Sequence, residues 1–268
     1  MNGVPTDPAD AAVSVFDVGF QRGYGCFETM RSYEGSLFRL EGHLDRLQRS
    51  ASNLRIGLGD LSLLASWCTQ AARGGDGVLR VYVTGGTDAS ALGTNNVTVV
   101  YLEPLAEIPS SVRLDLLEAP WHADGRVSEL TGAKTMSYGP NLAATIEAWS
   151  KGYDDAALLG NGDVVLEGPT FSLGWVTDGV VFTPSLESHI LASITREATL
   201  EVCDRLGIEV SVGRFHKDAL VNADEVFVMS TVKEVMPVTA VGEVALVPGP
   251  CTARLLAGFR ELVAEETS

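Results

Sequence analysis

The stretch Thr131-Gly-Ala-Lys-Thr-Met-Ser-Tyr138 decides how the fold is interpreted, because it places a lysine among small, weakly polar residues with a phenol nearby. Lys134 is the first of only four lysines in 268 residues, against fifteen arginines. The pKa of a lysine amine falls readily on burial, unlike that of a guanidinium, so an amine in such a run is a candidate for covalent chemistry. Taken alone, the same run also suits an ordinary surface lysine.

Two further features follow the lysine in an order that favours one kind of site. Glu167 follows an apolar strand in Val164-Val-Leu-Glu-Gly168, and Ser193-Ile-Thr-Arg196 opens a helix. Unpaired N–H groups and the helix dipole attract anions at a helix start, so we expect Ile194 and Thr195 to bind a phosphate. An amine, a carboxylate and such a helix start are what a pyridoxal phosphate site needs from its protein. A carboxylate before glycine also suits a turn, so the hypothesis depends on the order and spacing of the three.

Two more residues are candidates for holding the same phosphate. Arg46 lies in Gly42-His-Leu-Asp-Arg-Leu47, just beside the apolar stripe of a predicted helix, so its guanidinium can point inward and bind phosphate with two donors. Thr231 follows a predicted strand that ends at Met229 and offers a hydroxyl and a second N–H. The alternative for Arg46 is a solvated position on the helix surface.

Composition argues against several kinds of partner. The net charge of −16 disfavours nucleic acid and anionic membranes, because both demand a basic surface. The sequence has no apolar run of membrane-spanning length and no basic-then-apolar leader, so we expect a cytoplasmic protein that does not enter a membrane. The cysteines and the four histidines are widely dispersed, which predicts reduced thiols and no metal site. The cysteines are Cys26, Cys68, Cys203 and Cys251.

Hydrophobic periodicity predicts an α+β chain of two domains. We expect a small α/β domain over 1–118, a linker over 119–125, where turn residues break the pattern, and a larger domain over 126–268. The predicted strands are 13–17, 26–33, 78–84, 97–102, 112–117, 156–160, 163–166, 171–177, 180–183, 208–212 and 225–229. The predicted helices are 40–54, 60–72, 141–151, 194–206 and a last one that carries Leu255, Phe259 and Leu262.

Six blocks of the sequence, in order and spanning nearly the whole chain, resemble those of the class IV aminotransferases. Each block is weak alone, but six in register are a strong resemblance. It implies a two-domain α+β fold like that of D-amino acid aminotransferase (pyridoxal phosphate fold type IV), with a small α/β domain followed by a larger β-rich α/β domain. The blocks are Gly25-Cys-Phe-Glu-Thr-Met-Arg31, His43-Leu-Asp-Arg-Leu47, Lys134-Thr-Met-Ser-Tyr138, Leu166-Glu-Gly168, Ile194-Thr-Arg196 and Ala223-Asp-Glu-Val-Phe-Val-Met-Ser-Thr231.

The resemblance also implies a role for each candidate residue. Lys134 is expected to hold pyridoxal 5'-phosphate as a Schiff base, Glu167 to pair with the pyridine nitrogen, and Tyr138 to lie near the cofactor's hydroxyl. The family is dimeric, and residues of one small domain reach the neighbour's site, so we expect a homodimer. The substrates are expected to be a small-molecule amino donor and a 2-oxo acid acceptor. The phosphate ligands implied by the family are Arg46, Ile194, Thr195 and Thr231.

Three departures from the family's patterns concern the substrate pocket. Pro169-Thr-Phe-Ser172 stands where small residues and an asparagine are common. Branched-chain aminotransferases usually show Phe-Glu-Gly, whereas Phe27-Glu28-Thr29 has a bulkier, polar last residue. D-amino acid transaminases often carry Thr-Arg-Gly, whose arginine binds the substrate carboxylate, but Thr84-Gly85-Gly86 lacks it. Phe27 and Thr29 are therefore expected to line the pocket, and Arg22 or Arg31 to replace the missing arginine.

Several functions remain open at this point. The leading hypothesis is a transaminase for D-amino acids, with (R)-amines as further donors, because Thr29 argues against a branched-chain pocket. The alternatives are a branched-chain L-amino acid aminotransferase, an aminodeoxychorismate lyase of the same fold, and a non-catalytic binding protein that kept the fold. Dinucleotide binding is disfavoured, because neither Gly23-Tyr-Gly25 nor Gly85-Gly86 has the strand–GxGxxG–helix context.

Overall fold

The structure is a computed structural model that describes residues 1–122 and 130–268. It contains two compact units, each described separately below. The first unit comprises 1–106, 132–138 and 266–268, and the second comprises 107–131 and 139–265.

The first unit is a four-stranded antiparallel sheet with two helices on one face. The strand order is β2-β1-β3-β4. Successive side chains of a strand alternate between faces, and Cys26 and Met30 of β1 pack with Leu44 and Leu47 of α2 in the core. The elements are α1 (Val18–Arg22), β1 (Gly25–Tyr33), β2 (Ser36–Leu37), α2 (Leu40–Asn53), α3 (Leu61–Ala72), β3 (Gly77–Thr84) and β4 (Thr98–Glu103).

The predicted strand at 13–17 is wrong, because this segment forms a turn that leads into α1. Its alternation of apolar and polar residues resembles a strand, but Val15 and Phe16 are exposed. Asp17 instead begins the helix, since its carboxylate accepts a 2.7 Å hydrogen bond from the N–H of Gly19. The same buried carboxylate accepts a 2.6 Å bond from the hydroxyl of Thr84 in β3.

The second unit is built around a nine-stranded mixed sheet. Its strand order is β10-β9-β8-β11-β12-β5-β6-β7, with β13 paired to β12. The pairs β9–β10, β5–β12 and β5–β6 are parallel, and the others are antiparallel. The elements are β5 (Val112–Glu118), α4 (Gly139–Ser150), β6 (Asp155–Gly160), β7 (Val164–Val165), β8 (Ser172–Thr177), β9 (Val180–Pro184), a 3-10 turn (Leu186–Ser188), α5 (Ile194–Arg205), β10 (Val210–Gly213), α6 (Lys217–Val221), β11 (Glu225–Ser230), β12 (Glu234–Val241), β13 (Val244–Ala245) and α7 (Pro250–Thr267).

Strand β6 anchors two loops of the second unit. The N–H of Ala119, which follows β5, donates to the carbonyl of Leu159 at 2.8 Å. The N–H of Leu158 donates to the carbonyl of Glu167 at 2.9 Å. Because Leu158 and Leu159 are adjacent in β6, the start of the loop after β5 and the segment after β7 are held at the same strand.

The two units divide the chain differently from the predicted domains. Strand β5 pairs with β6 and β12, so the second unit begins at 107 and not after 118. The segment 132–138 belongs to the first unit, since it pairs with β1. Residues 123–125 of the predicted linker lie outside the described residues. Among the described residues, no helix combines the length and the apolar character needed to cross a bilayer.

Candidate active site

The segment around Lys134 is fixed along β1 by main-chain hydrogen bonds in the first unit. The N–H of Phe27 donates to the carbonyl of Lys134 at 3.0 Å, and the N–H of Met136 donates to the carbonyl of Gly25 at 2.8 Å. On its other side, the N–H of Lys134 donates to the hydroxyl of Ser50 in α2 at 3.0 Å. The backbone of the lysine is therefore held both by the sheet and by a helix.

The amine of Lys134 lies beside two aromatic rings. Its Nζ is 4.3 Å from the centre of the Phe27 ring and 5.6 Å from that of Tyr138. The two rings meet edge to face, with centroids 5.2 Å apart. The structure thus brings together the lysine, the phenol and the aromatic residue that the sequence nominated separately.

Arg46 points inward, as predicted, and it binds a buried carboxylate. Its Nε donates to Oε1 of Glu28 at 2.6 Å, and Nη2 donates to Oε2 at 2.7 Å. His43, one helical turn earlier in α2, completes the cluster with Nδ1 2.8 Å from Oε2 of Glu28. Sequence reasoning did not single out Glu28 or His43, although the spacing of His43 and Arg46 places them on one face of a helix. The role of Arg46 toward a phosphate stays a prediction.

The charge states in this cluster follow from its burial. Burial alone raises the pKa of Glu28, but the attraction of Arg46 and the hydrogen bonds from Arg46 and His43 outweigh it and hold that pKa at about 2. Burial lowers the pKa of His43, with Glu28 opposing this effect. We therefore assign an ionised Glu28, a charged Arg46 and a neutral His43 whose Nδ1–H donates to the carboxylate.

Ser50 joins this cluster to the lysine segment. Its hydroxyl donates to the carbonyl of Arg46 at 2.9 Å and accepts from the N–H of Lys134. Helix α2 thus carries the arginine and also positions the backbone of the lysine.

The sheet face away from the helices carries the predicted substrate residues. Thr29 accepts a 3.0 Å hydrogen bond from Nη1 of Arg80, and Arg80 is paired with Glu103 at 2.6 Å. The ring of Phe27 stacks on that of Tyr82, with centroids 5.5 Å apart. Arg80 and Tyr82 were not nominated from the sequence, because only the register of β1 with β3 sets them opposite Thr29 and Phe27.

The two arginines that are candidates for binding the substrate carboxylate differ in their surroundings. Nε and Nη1 of Arg31 are buried without a hydrogen-bond partner among the described residues, and its guanidinium lies 4.8 Å from the centre of the Tyr33 ring. Arg22 is exposed in the last turn of α1. A guanidinium with two buried donors that lack a partner among the described residues is the better-prepared anion ligand of the two.

The structure explains why no arginine stands at position 85. A Cβ atom built on Gly85 would lie 2.6 Å from Cγ2 of Val18 and 2.9 Å from the carbonyl oxygen of Tyr24. The position therefore has no room for a side chain.

In the second unit, Glu167 presents a carboxylate to one main-chain donor and to a nearby histidine. Both oxygens accept from the N–H of Leu191, at 3.2 and 3.1 Å. Nε2 of His122 lies 3.8 Å from Oε1. A Cβ on Gly168 would collide with the ring of Phe171, so the glycine after the acid is a packing requirement.

Helix α5 begins as predicted and offers N–H groups at its start. The hydroxyl of Ser193 caps the N–H of Arg196 at 3.2 Å. The N–H groups of Ile194 and Thr195, the first two helical residues, have no acceptor within the helix. The guanidinium of Arg196 is buried and donates to Thr183 and to the carbonyl of Pro184, so this arginine holds the helix to β9. Thr231 follows β11 directly.

These features fit pyridoxal phosphate. In the second unit, helix α5 begins with N–H groups that have no acceptor within the helix, which suits a phosphate, and Glu167 offers a carboxylate, which suits a pyridine nitrogen. The first unit supplies a lysine whose backbone is fixed and whose amine lies beside aromatic rings.

Comparison with known proteins gives the same result. Residues 25–241 match the model of the family described as amino-transferase class IV. The chain is 28% identical to the D-alanine aminotransferase of Bacillus licheniformis, over 100% of this chain and 97% of that one. It is 33% identical to a candidate branched-chain-amino-acid aminotransferase of Methanocaldococcus jannaschii, over 89% and 85%. It is 28% identical to the aminodeoxychorismate lyase of Bacillus subtilis, over 91% and 86%.

Solved structures of aminotransferases superpose closely. The branched-chain amino acid aminotransferase of Escherichia coli gives a TM-score of 0.91 at 27% identity, over 100% of this chain and 94% of that one. The branched-chain aminotransferase of the thermophilic archaeon Thermoproteus uzoniensis, with norvaline, gives 0.89 at 27%, over 99% and 94%. A further branched-chain aminotransferase, in complex with N-(5'-phosphopyridoxyl)-L-glutamate, gives 0.86 at 28%, over 97% and 92%. The expected two-domain α+β fold of type IV is confirmed. The chain belongs to the class IV aminotransferases and is an aminotransferase that uses pyridoxal 5'-phosphate as its cofactor.

Proposed function

We propose that this aminotransferase moves the amino group of a D-amino acid to a 2-oxo acid, with (R)-amines as further donors. The observation that carries the preference is Thr29, which stands where branched-chain enzymes usually have glycine and accepts a hydrogen bond from Arg80. The hydroxyl and methyl groups of Thr29 leave less room for a branched side chain. The relatives include both a D-alanine aminotransferase and branched-chain aminotransferases, so the choice between them depends on Thr29.

The chain's own residues divide the chemical work. Lys134 would hold the cofactor through Nζ, and its free amine would take the proton from the substrate Cα. Glu167 would pair with the pyridine nitrogen and keep it protonated, while Tyr138 would lie near the cofactor's hydroxyl. The cofactor supplies the electron sink.

Phosphate binding is assigned to two kinds of donor. The N–H groups of Ile194 and Thr195 and the hydroxyl and N–H of Thr231 are neutral donors. Arg46 adds a guanidinium whose orientation is set by Glu28. Arg31, or else Arg22, binds the substrate carboxylate. We further propose that the protein is a cytoplasmic homodimer.

A donor panel tests the proposal. Purified protein reconstituted with pyridoxal phosphate is mixed with D- and L-alanine, D- and L-leucine, D- and L-glutamate and (R)-1-phenylethylamine, each with pyruvate or 2-oxoglutarate as acceptor. We expect D-alanine to bleach the visible cofactor band and to turn over faster than its L-enantiomer. A clear preference for L-leucine would assign the branched-chain function instead. Failure of every donor to react would contradict transamination.

The similarity to an aminodeoxychorismate lyase favours one second candidate. A lyase would use the same lysine and carboxylate but would eliminate pyruvate without an acceptor. Release of pyruvate from aminodeoxychorismate in the absence of a 2-oxo acid would support the lyase. A strict requirement for the acceptor would exclude it.

A further inference from the structure

His122 lies beside the carboxylate of Glu167 in the second unit. Nε2 of the histidine is 3.8 Å from Oε1 of the acid, and the side chains are 14% and 16% exposed. We infer that His122 is a positioning residue for Glu167, which its Nε2–H holds in the orientation that faces the cofactor's pyridine nitrogen. The inference rests on the proposed role of Glu167 and adds a residue that the sequence did not suggest.

The main chain brings the two side chains together. Ala119 and Glu167 are each hydrogen-bonded to strand β6, at the adjacent residues Leu159 and Leu158. The N–H of His122 then donates to the carbonyl of Ala119 at 2.9 Å, which closes a tight turn. Main-chain hydrogen bonds therefore hold the backbones of His122 and Glu167 near the same strand, and the two side chains approach each other from there.

Glu167 needs a second constraint, and His122 is placed to supply it. Among the described residues, its two oxygens share a single N–H donor, that of Leu191, at nearly equal distances of 3.2 and 3.1 Å. One shared donor fixes the position of a carboxylate but leaves it able to rock about that contact. A donor to Oε1 removes this freedom, and an approach of about 1 Å brings Nε2 from 3.8 Å into hydrogen-bond range.

The other ring nitrogen of His122 indicates which tautomer makes this bond. Nδ1 is buried and has no hydrogen-bond partner among the described residues. A proton on Nδ1 would be a buried, unpaired donor, whereas a proton on Nε2 faces an acceptor. Of the two tautomers, the one with its proton on Nε2 is therefore favoured, and it donates toward the acid.

Three replacements of His122 distinguish the effect of its hydrogen-bond donor from the effect of its side-chain volume. The amide nitrogen of H122Q reaches about as far as Nε2, whereas that of H122N reaches only about as far as Nδ1 and H122L has no donor. The affinity of each apoprotein for pyridoxal phosphate is measured by titration of the visible band, and urea unfolding of the same apoproteins checks that they fold. We expect H122N and H122L to bind the cofactor about 3- to 30-fold more weakly, and H122Q to stay within about twofold of wild type. Equal losses in H122Q and H122L would overturn the inference.

A double-mutant cycle shows whether His122 acts through Glu167. If it does, H122L adds little further loss of cofactor affinity in an E167Q background. Additive losses would show a general structural role and would contradict the inference. If E167Q weakens cofactor binding and H122L does not, the role of His122 is overturned and that of Glu167 stands. If E167Q binds the cofactor as tightly as wild type, the role of Glu167 is overturned and the inference with it. The donor panel tests transaminase activity independently of this result.

Discussion

The ring of Phe27 lies 4.3 Å from the amine of Lys134, while the N–H of Phe27 donates a hydrogen bond to the carbonyl of the same lysine. Side chain and main chain therefore set the position of the amine together. The face of an aromatic ring attracts a cation, so the charged amine is stabilised in this position. The amine proposed to bind the cofactor is thus preorganised by a residue of the predicted substrate pocket.

Replacement of Lys134 by alanine tests the central assignment. K134A loses the amine that is proposed to bind the cofactor and to move the proton, so we expect no lysine-bound visible band and a fall in turnover of about 10²–10⁴-fold or more. Absorbance spectra and initial rates measure the two effects. K217A is the matched control, because Lys217 is a surface lysine paired with Asp163. Full turnover in K134A would contradict the mechanism and would leave the non-catalytic interpretation of Lys134 open.

The buried cluster around Glu28 predicts how stability depends on pH. Its pKa of about 2 lies below that of an unfolded glutamate, so its contribution is present above about pH 4.5 and is lost as the pH falls toward 2. The full contribution is on the order of 3 kcal/mol. Burial also lowers the pKa of His43, so the neutral histidine contributes to the stability of the fold above about pH 6.5. On acidification, the contribution of His43 to the free energy of unfolding begins to fall before that of Glu28.

A variant isolates the contribution of His43. H43N keeps an amide donor near the position of Nδ1 but cannot titrate. We expect the free energy of urea unfolding to fall less between pH 7 and pH 5.5 in H43N than in wild type, because the lowered pKa of His43 makes acidification below about pH 6.5 destabilising only where the histidine is present. The same slope for both proteins above pH 5.5 would show that His43 does not set this dependence.

Most of the elements could be predicted from the sequence, and the exceptions have physical causes. The stripe of Leu40, Leu44 and Leu47 is long enough to show a helical period, whereas α1 has only five residues and no measurable period. Strand β12 was missed because Pro237 argues against a central strand. The structure tolerates it because pairing with β5 begins at Val238, after the proline.

The sequence nominated the site's separate residues but not their neighbours. Lys134 and Glu167 stand out because each is unusual in its local run. Glu28 and Tyr82 become relevant only through long-range pairing, which no local pattern encodes. A sequence also does not show how much space surrounds a residue. At position 85 the sequence indicated only that the family's arginine is absent, whereas the structure shows that a side chain there has no room.

Restoring the missing arginine at position 85 should fail. The G85R side chain would collide with Val18 and with the backbone of Tyr24, so we expect a loss of about 1–3 kcal/mol in unfolding free energy and no gain in D-alanine turnover. G57R is the matched control, because a Cβ on Gly57 meets nothing within 4 Å. Urea unfolding and initial rates measure both variants. A stable G85R with increased D-amino acid turnover would show that the position can accept the family's carboxylate-binding arginine.

Thr29 is expected to restrict the pocket by its volume. T29G should raise the turnover of L-leucine relative to D-alanine by about tenfold, since one or two methyl-sized groups change selectivity to this extent. T29V keeps the branched shape and removes the hydroxyl that accepts from Arg80, so its selectivity should stay near wild type. Ratios of kcat/KM for the two donors decide the outcome. Unchanged ratios in T29G would remove the argument against a branched-chain pocket.

Arg31 is expected to bind the substrate carboxylate, because its Nε and Nη1 are buried without partners among the described residues. A charged hydrogen bond is worth about 1.5–3 kcal/mol, so R31A should lower kcat/KM for D-alanine by about ten- to a hundredfold. Turnover of (R)-1-phenylethylamine, which has no carboxylate, should be nearly unchanged. R22A, which removes the exposed arginine, is the matched control for R31A.

Stability gives Arg31 a second, independent readout. Buried donors that have no partner destabilise a fold, so R31L should unfold at an equal or higher urea concentration than wild type while it loses amino-acid turnover. A structural arginine would show the opposite, with stability and both kinds of turnover falling together. A selective loss in R22A and none in R31A would assign the carboxylate to Arg22. If each variant lost turnover of D-alanine and of the amine equally, neither arginine would be the carboxylate ligand.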